Sequence, residues 1–220
     1  MTNRSEAARL TIARAAARLF IEQGVAATQG SDIAREAGIS ERTIWRHFRN
    51  KESCVGPLFS RSWANFAAQM RSWPRAVSLE AHLATCFDLE RRSPEELADA
   101  ILIVRLIAIV PDEPDVRSIW LLSYHNGEGA LAEIIADRLD RSRNDFEVIL
   151  CAVATMGAVR TIDETISLAA VHHRQIFTTA EVVTQMAKAI RSVSNMAFCD
   201  PVKSKPFGIR PVAPVDGRTR

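Results

Sequence analysis

At 220 residues, with 47% hydrophobic and 25% charged residues, the chain is long enough to bury the cores of a small domain and a larger one. No run of about 18 apolar residues occurs, and the opening Met-Thr-Asn-Arg-Ser-Glu lacks the apolar segment of a signal peptide, so a cytoplasmic protein with no membrane partner is predicted. The net charge of +2 is uneven: residues 1–51 hold nine Arg and Lys against five Asp and Glu, whereas residues 52–199 hold fourteen against nineteen, which places the basic surplus at the N-terminal end.

The first informative stretch runs from Thr28 to Lys51. Ile33, Ala34 and Ala37 line one stripe of a short helix while Asp32, Arg35 and Glu36 point outward. Gly38 suits the left-handed residue that ends a helix, Ile39 is an apolar plug, and Ser40 is a good N-cap for the next helix. In that second helix Ile44 and Phe48 share a buried face with Ile39, and Arg42, Thr43, Trp45, Arg46, His47 and Arg49 occupy the rest of the circumference. A helix of this size fits a major groove, with Arg42 and Thr43 placed for bases and Arg49 and Lys51 for the backbone. Spacing alone leaves two readings open, a DNA-reading helix-turn-helix and a packed helical hairpin with a solvated face.

Residues 7–58 resemble the N-terminal domain of the TetR family of bacterial transcriptional regulators. That domain has an Ala/Arg-rich helix ending in Leu-Phe, then Gly-x-x-x-x-Thr, Asp-Ile-Ala-x-x-Ala-Gly-Ile-Ser and Thr-x-aromatic-x-His-Phe-x-x-Lys-Glu. This chain supplies Leu19-Phe20, Gly24, Thr28, Asp32-Ile33-Ala34, Ala37-Gly38-Ile39-Ser40, Thr43, Trp45, His47-Phe48 and Lys51-Glu52 in register. The resemblance implies an all-α fold: an N-terminal three-helix DNA-binding domain with a helix-turn-helix over residues 1–51, then a larger helical ligand-binding and dimerisation domain over residues 52–199. The DNA-contacting set it implies is Thr28, Ser31, Glu41, Arg42 and Thr43, with Trp45, Arg46, His47 and Lys51. Three departures stand out. Trp45 replaces the usual Tyr, leaving only an indole N–H for a phosphate contact. Gly30 and Ser31 replace an apolar and a longer polar residue, which predicts a looser start to the first reading helix. Gly56-Pro57 places the start of the fourth helix, or a kink in it, near Pro57.

The rest of the chain reads as helices. Residues 58–73 place Leu58, Phe59, Trp63, Phe66, Met70 and Trp73 on one face, and Pro74 ends the helix. A helix from Ser78 to Arg91 follows. Ser93-Pro94-Glu95-Glu96 is a capping box that opens a helix to Val110, apolar nearly all round from Ile101 to Ile109 and expected at the centre of the core. Asp112-Glu113-Pro114-Asp115 opens a helix reaching Leu139, in which Gly127 and Gly129 mark a bend or a close backbone contact. Two long apolar patterns complete the domain, from Arg143 to about Ala170 and from the capping box Thr178-Thr179-Ala180-Glu181 to Met196. Their apolar faces, with Ala152, Ala154, Gly157 and Ala158 small enough for close approach, either close the monomer's core or meet a second copy; the resemblance implies a homodimer through these last two helices. Residues 200–220, with Pro201, Pro206, Pro211 and Pro214, read as a disordered tail.

Chemistry beyond binding has no candidate residues. Cys54, Cys86, Cys151 and Cys199 are dispersed, His172 and His173 point about 100° apart on a helix, and no phosphate loop or nucleophile elbow occurs, so no catalytic residue, metal or cofactor is expected. The resemblance implies a small-molecule cavity in the larger domain. Its candidate walls are Trp63, Phe66, Met70, Phe87, Trp120 and Tyr124, which fit a largely apolar effector. Arg105, beside an apolar run, either meets an acidic group of that effector or snorkels to solvent. The expected function is a homodimeric repressor on a pseudo-palindromic double-stranded DNA operator, its two reading helices about 34 Å apart, released when an effector rotates the fourth helix.

Overall fold

The computed structural model describes residues 2–202, and among these every regular element is helical. Helix α1 (Thr2–Gln23) is buried almost all round its second half, and the sequence there is Ala13, Arg14, Ala15, Ala16, Ala17. Such small side chains let neighbouring helices approach from several sides at once. Gly24, at φ +87°, ends the helix in the left-handed region that glycine enters without cost. Helices α2 (Gly30–Ala37) and α3 (Glu41–His47) follow as a helix-turn-helix, with Gly38 at φ +68° between them and Ser40 Oγ accepting from the Thr43 N–H at 3.3 Å.

A short 3-10 turn over Glu52–Val55 leads into α4 (Gly56–Arg71), with Pro57 in its first turn, where a missing N–H costs nothing. Helix α5 (Leu79–Cys86) is shorter than the sequence predicts. The chain leaves it at Phe87, where Asp88 caps the following turn through the Glu90 N–H at 3.0 Å and Arg92 takes the freed Cys86 carbonyl at 3.1 Å. Then come α6 (Pro94–Ile109) behind its Ser93–Glu96 capping box, α7 (Pro114–Leu139), α8 (Phe146–His172) and α9 (Thr179–Val193) behind its Thr178–Glu181 box. Among the described residues no helix is long and apolar enough to cross a membrane.

Expectations for α6 and α7 change as well. Helix α6 is not buried all round: Leu106, Ile107 and Ala108 are buried but Ile101 is 61% exposed and Arg105 faces solvent. Helix α7 runs without a break through Gly127 and Gly129. Gly127 is a close contact instead, since a Cβ there would sit 2.1 Å from the Trp63 indole.

The apolar side chains form two clusters. The first joins Ile12, Phe20, Ile33 and Ile44 to Val55 and Leu58, then to Leu106, Val110 and Trp120, so the reading helices share a core with α4, α6 and α7. The second packs α5, the end of α7, α8 and α9 around Leu83, Ile135, Met156 and Ile190. Each fully buried side chain of this size contributes about 1.5–3 kcal/mol, so both clusters are substantial.

Arg138 closes the second cluster. It is 2% exposed, lies 3.6 Å from the Trp73 ring centroid, and donates to the carbonyls of Phe198 (2.9 Å), Pro74 (3.1 Å), Asp200 (3.1 Å) and Val77 (3.3 Å). Burial lowers its pKa, and carbonyl dipoles and the indole face stand in for the solvation it has lost. The same clasp docks residues that the sequence places in a disordered tail: Asp200 is held by Arg138 and the Val202 N–H donates to Arg75 at 2.6 Å. Residues 203–220 lie outside the described residues. Arg138→Ala leaves several carbonyls unsatisfied at once and is expected to lower unfolding free energy by about 3 kcal/mol or more, read by urea denaturation; Arg138→Lys should recover only part of it, lacking the planar fork.

Candidate nucleic-acid interface and ligand cavity

Ser40 starts α3 and Ile44 and Phe48 anchor it, so its remaining faces are turned out. Arg42, Arg46 and Arg49 are exposed and have no ion-pair or hydrogen-bond partner among the described residues, as expected of cations held for phosphates or base edges. Thr43 and His47 are half-buried, and the Thr43 hydroxyl lies 2.8 Å from Ser40 Oγ, tied into the cap. Ser31 is exposed on the first turn of α2, across a groove from Glu41 and Trp45.

Two residues of the sequence-derived set have other work. Thr28 is fully buried, its hydroxyl donating to the Gly24 carbonyl at 2.8 Å. Lys51 turns inward, its Nζ donating to the carbonyls of Val25 (2.6 Å) and Thr28 (2.9 Å). Together they close the loop between α1 and α2, where those carbonyls have no helical N–H to accept from. Both side chains are engaged within the loop, unlike the unpaired Arg42, Arg46 and Arg49.

Trp45 and Gly30 depart from the family pattern as one unit. The indole lies over Gly30, where a Cβ would come within 2.2 Å of the ring, and its N–H donates to Glu41 Oε1 at 3.0 Å. The N–H is therefore occupied within α3. Helix α2 also starts firmly, contrary to the looser start expected, because Asp32 Oδ2 reaches back to the Gln29 N–H at 2.9 Å. That bond and Arg35 hold the Asp32 carboxyl below the usual range. Gln29, beside Ser31 on the same groove, is a site residue the sequence did not single out, since only the placement of α3 brings it there.

In the larger domain, helices α4 to α8 surround a cavity of about 740 Å³, with α9 at its edge. Of the candidate walls, Trp63, Phe66, Phe87, Trp120 and Tyr124 line it. Met70 does not; it is buried in the second cluster. Arg105 is on the solvent side of α6, which removes it from the ligand set. The cavity also reaches Asp99 and Asp163. The sequence gives Asp163 no distinguishing mark, since it stands beside Glu164 and close to Arg160 on the same helix. Tyr124 Oη donates to Asp163 Oδ2 at 2.5 Å, and burial pushes the Asp163 carboxyl up to about 6 and the phenol well above its ordinary value. Burial also raises the thiols of Cys54 to about 12 and of Cys86 and Cys199 to about 11, which keeps them protonated.

Two outcomes follow from this geometry. Gly30→Ala should displace Trp45 and weaken DNA binding, and Gly30→Ala with Trp45→Tyr should recover it, a coupling of about 1 kcal/mol or more in a double-mutant cycle read by fluorescence anisotropy. Because folding raises the Asp163 pKa, the folded state keeps that proton longer than the unfolded chain. Stability from this group is full below about pH 4 and lost as pH rises to about 6, so Asp163→Asn should flatten the fall in thermal midpoint over that window.

Comparison with known proteins agrees with both halves of the chain. Residues 12–56 match the family described as bacterial regulatory proteins, tetR family, and residues 78–194, more than half of the chain, match the MftR C-terminal domain family. The HTH-type transcriptional regulator YvkB of Bacillus subtilis is 33% identical over 81 residues, which span 36% of this chain and 43% of that protein, less than half its length. Among solved structures, Salmonella enterica GusR shares the fold at a TM-score of 0.53 and 20% identity, over 84% of this chain and 95% of that one. The Thermus thermophilus transcriptional repressor FadR, solved in complex with lauroyl-CoA, does so at 0.52 and 18%, over 84% and 92%. With a helix-turn-helix at its N-terminus and a helical domain behind it, the chain belongs to the TetR family of bacterial transcriptional regulators.

Proposed function

We propose that the protein is a homodimeric repressor whose reading helices α3 occupy successive major grooves of a pseudo-palindromic operator, and which an effector in the α4–α8 cavity releases. The carrying observation is Asp99. It lines the cavity and at the same time binds Arg14 of α1 with both oxygens, at 2.6 and 2.8 Å. Glu95, one turn earlier on α6, also pairs with Arg14 and takes Arg61 of α4 at 3.3 Å. A ligand that shifts α6 therefore moves groups bonded to both the reading domain and α4. Differential affinity of the effector for the DNA-bound and released arrangements is what turns that wiring into release.

The α8 surface supports the dimer. Phe146, Ile149, Leu150 and Val153 are 43–75% exposed, follow helical spacing on one face and continue to Gly157, which is small enough for a second helix to approach. A second copy of this helix, with α9, would cover them as a four-helix bundle. Acyl thioesters are one class of largely apolar effector worth testing, given the lauroyl-CoA bound to the Thermus relative. Arg42 and Thr43 are assigned to base edges, Arg46 and Arg49 to phosphates, and Trp45, Glu41 and Ser31 to the groove-facing surface around them.

The deciding experiment is anisotropy of a labelled fragment from the gene's own upstream region, at fixed salt with competitor DNA. Wild type should bind specifically, and Arg49→Ala should reduce the salt slope by about one. Leu150→Glu should give monomers by sedimentation and lose the operator. Asp99→Asn should still bind a cavity ligand but respond to it less. Absence of any sequence preference, or full operator affinity in a monomeric Leu150→Glu, would overturn the reading.

A further inference from the structure

We propose that the cavity selects an aromatic or otherwise apolar ligand that carries a protonated amine, with the Asp163 carboxylate as its counter-charge. This rests on the reading of the cavity as an effector site and adds the chemical class of the effector. The starting point is a charge inventory of the walls. At the mouth, Arg61 is paired with Glu95 (3.3 Å), Arg91 with Asp88 (3.1 Å), and Arg92 with the Cys86 carbonyl (3.1 Å). Of the acids, Asp99 is held by Arg14, and Glu96 accepts from the Ser93 N–H at 2.8 Å in its capping box.

Among the described residues neither Glu96 nor Asp163 has a cation, but Glu96 is held by its cap, whereas Asp163 has only a neutral side-chain donor. Its one hydrogen-bond partner among the described residues is the Tyr124 hydroxyl, which satisfies Oδ2 and leaves Oδ1 without a partner on a residue that lines the cavity. Arg160, one turn earlier on α8, is near enough to act on the Tyr124 charge but makes no ion pair with Asp163. A half-buried carboxylate in a cavity wall with a single neutral donor is under-compensated, and desolvation raises its pKa.

The surroundings fit the missing charge. The Tyr124 ring lies 5.3 Å from Trp120 and 6.2 Å from Trp63, centroid to centroid, so the phenol that holds the carboxylate packs against two indoles and all three rings line the same cavity. Such faces attract a cation through the ring quadrupole, most strongly where water is excluded. Ser123 and Ser167 line the same region. An anionic ligand group at this depth would meet the same carboxylate as repulsion, and a neutral one would leave it unpaired.

Isothermal titration calorimetry on the full chain without DNA tests this with three probes of one shape, 4-phenylbenzylamine, 4-phenylbenzyl alcohol and biphenyl-4-carboxylate. The amine should bind about tenfold tighter than the alcohol or more, as a charge-assisted pair would give, with the carboxylate weakest. Asp163→Asn should bring amine and alcohol to equal affinity. If that variant does not fold, Tyr124→Phe, which leaves the carboxylate without its donor, should widen the amine preference. Alcohol or carboxylate binding as tightly as the amine, or no binding of any of the three, would overturn the proposal. Amine preference with an undisturbed operator complex would leave this site standing and sink the release reading; operator release by a different apolar compound, with no amine preference, would do the reverse.

Discussion

The bidentate bond between Arg14 and Asp99 is the interaction on which the functional architecture turns. It joins a helix of the reading domain to a helix that lines the cavity, and it does so where the buried alanines Ala13, Ala15, Ala16 and Ala17 flank Arg14 on α1. Small side chains let α6 lie close against α1, and closeness makes the ion pair short and largely shielded from water, where Coulomb attraction is least screened. Opposite charges hold Glu95, Arg14 and Arg61 in one network, so α1, α4 and α6 are fastened at a single point. The apolar cluster that runs from Ile33 and Ile44 to Leu106 and Trp120 makes this fastening rigid, because packed side chains transmit displacement instead of absorbing it.

The second cluster is held differently. Arg138 places a full charge in the interior with carbonyl oxygens and an indole face around it, so the loop after α4 and the segment after α9 are fastened through a centre that no apolar residue could replace without orphaning several acceptors. The cavity lies between the two clusters, bounded by helices belonging to each. One end is tied to the reading domain through Asp99 and the other to the α8 helix through Asp163. Helix α8 in turn carries the exposed Phe146, Leu150 and Val153 face. The cavity, the tie to the reading domain and the exposed apolar face thus share two helices, α6 and α8.

The reading surface shows how a local rule can be met in an unfamiliar way. A tryptophan on a short recognition helix is larger than the position usually holds, and Gly30 on the neighbouring helix supplies the missing space. The hydrogen bond from the indole to Glu41 then orients a ring that would otherwise have several rotamers open to it. The two substitutions are separate anomalies along the chain and one packing solution in space.

The helix-turn-helix was legible in the chain because its signals are local: Gly38 must take a positive φ, Ser40 must cap, and Ile33, Ile44 and Phe48 must share a face whatever the rest does. The capping boxes at Ser93 and Thr178 and the proline at the start of α4 were legible for the same reason, and so were most of the aromatic walls, through helical periodicity. What depended on distant partners was not. Lys51 looks like a phosphate ligand until its carbonyl acceptors, 23 and 26 residues earlier, are brought under it. Arg105 and Met70 have the right residue type and the right helix but the wrong side of it, and Asp163 becomes a wall of the cavity only once α7 has placed Tyr124 against it. Backbone rules act within a few residues and can be read along the chain, whereas pairing of charges and the space left between helices are decided by which elements meet in three dimensions.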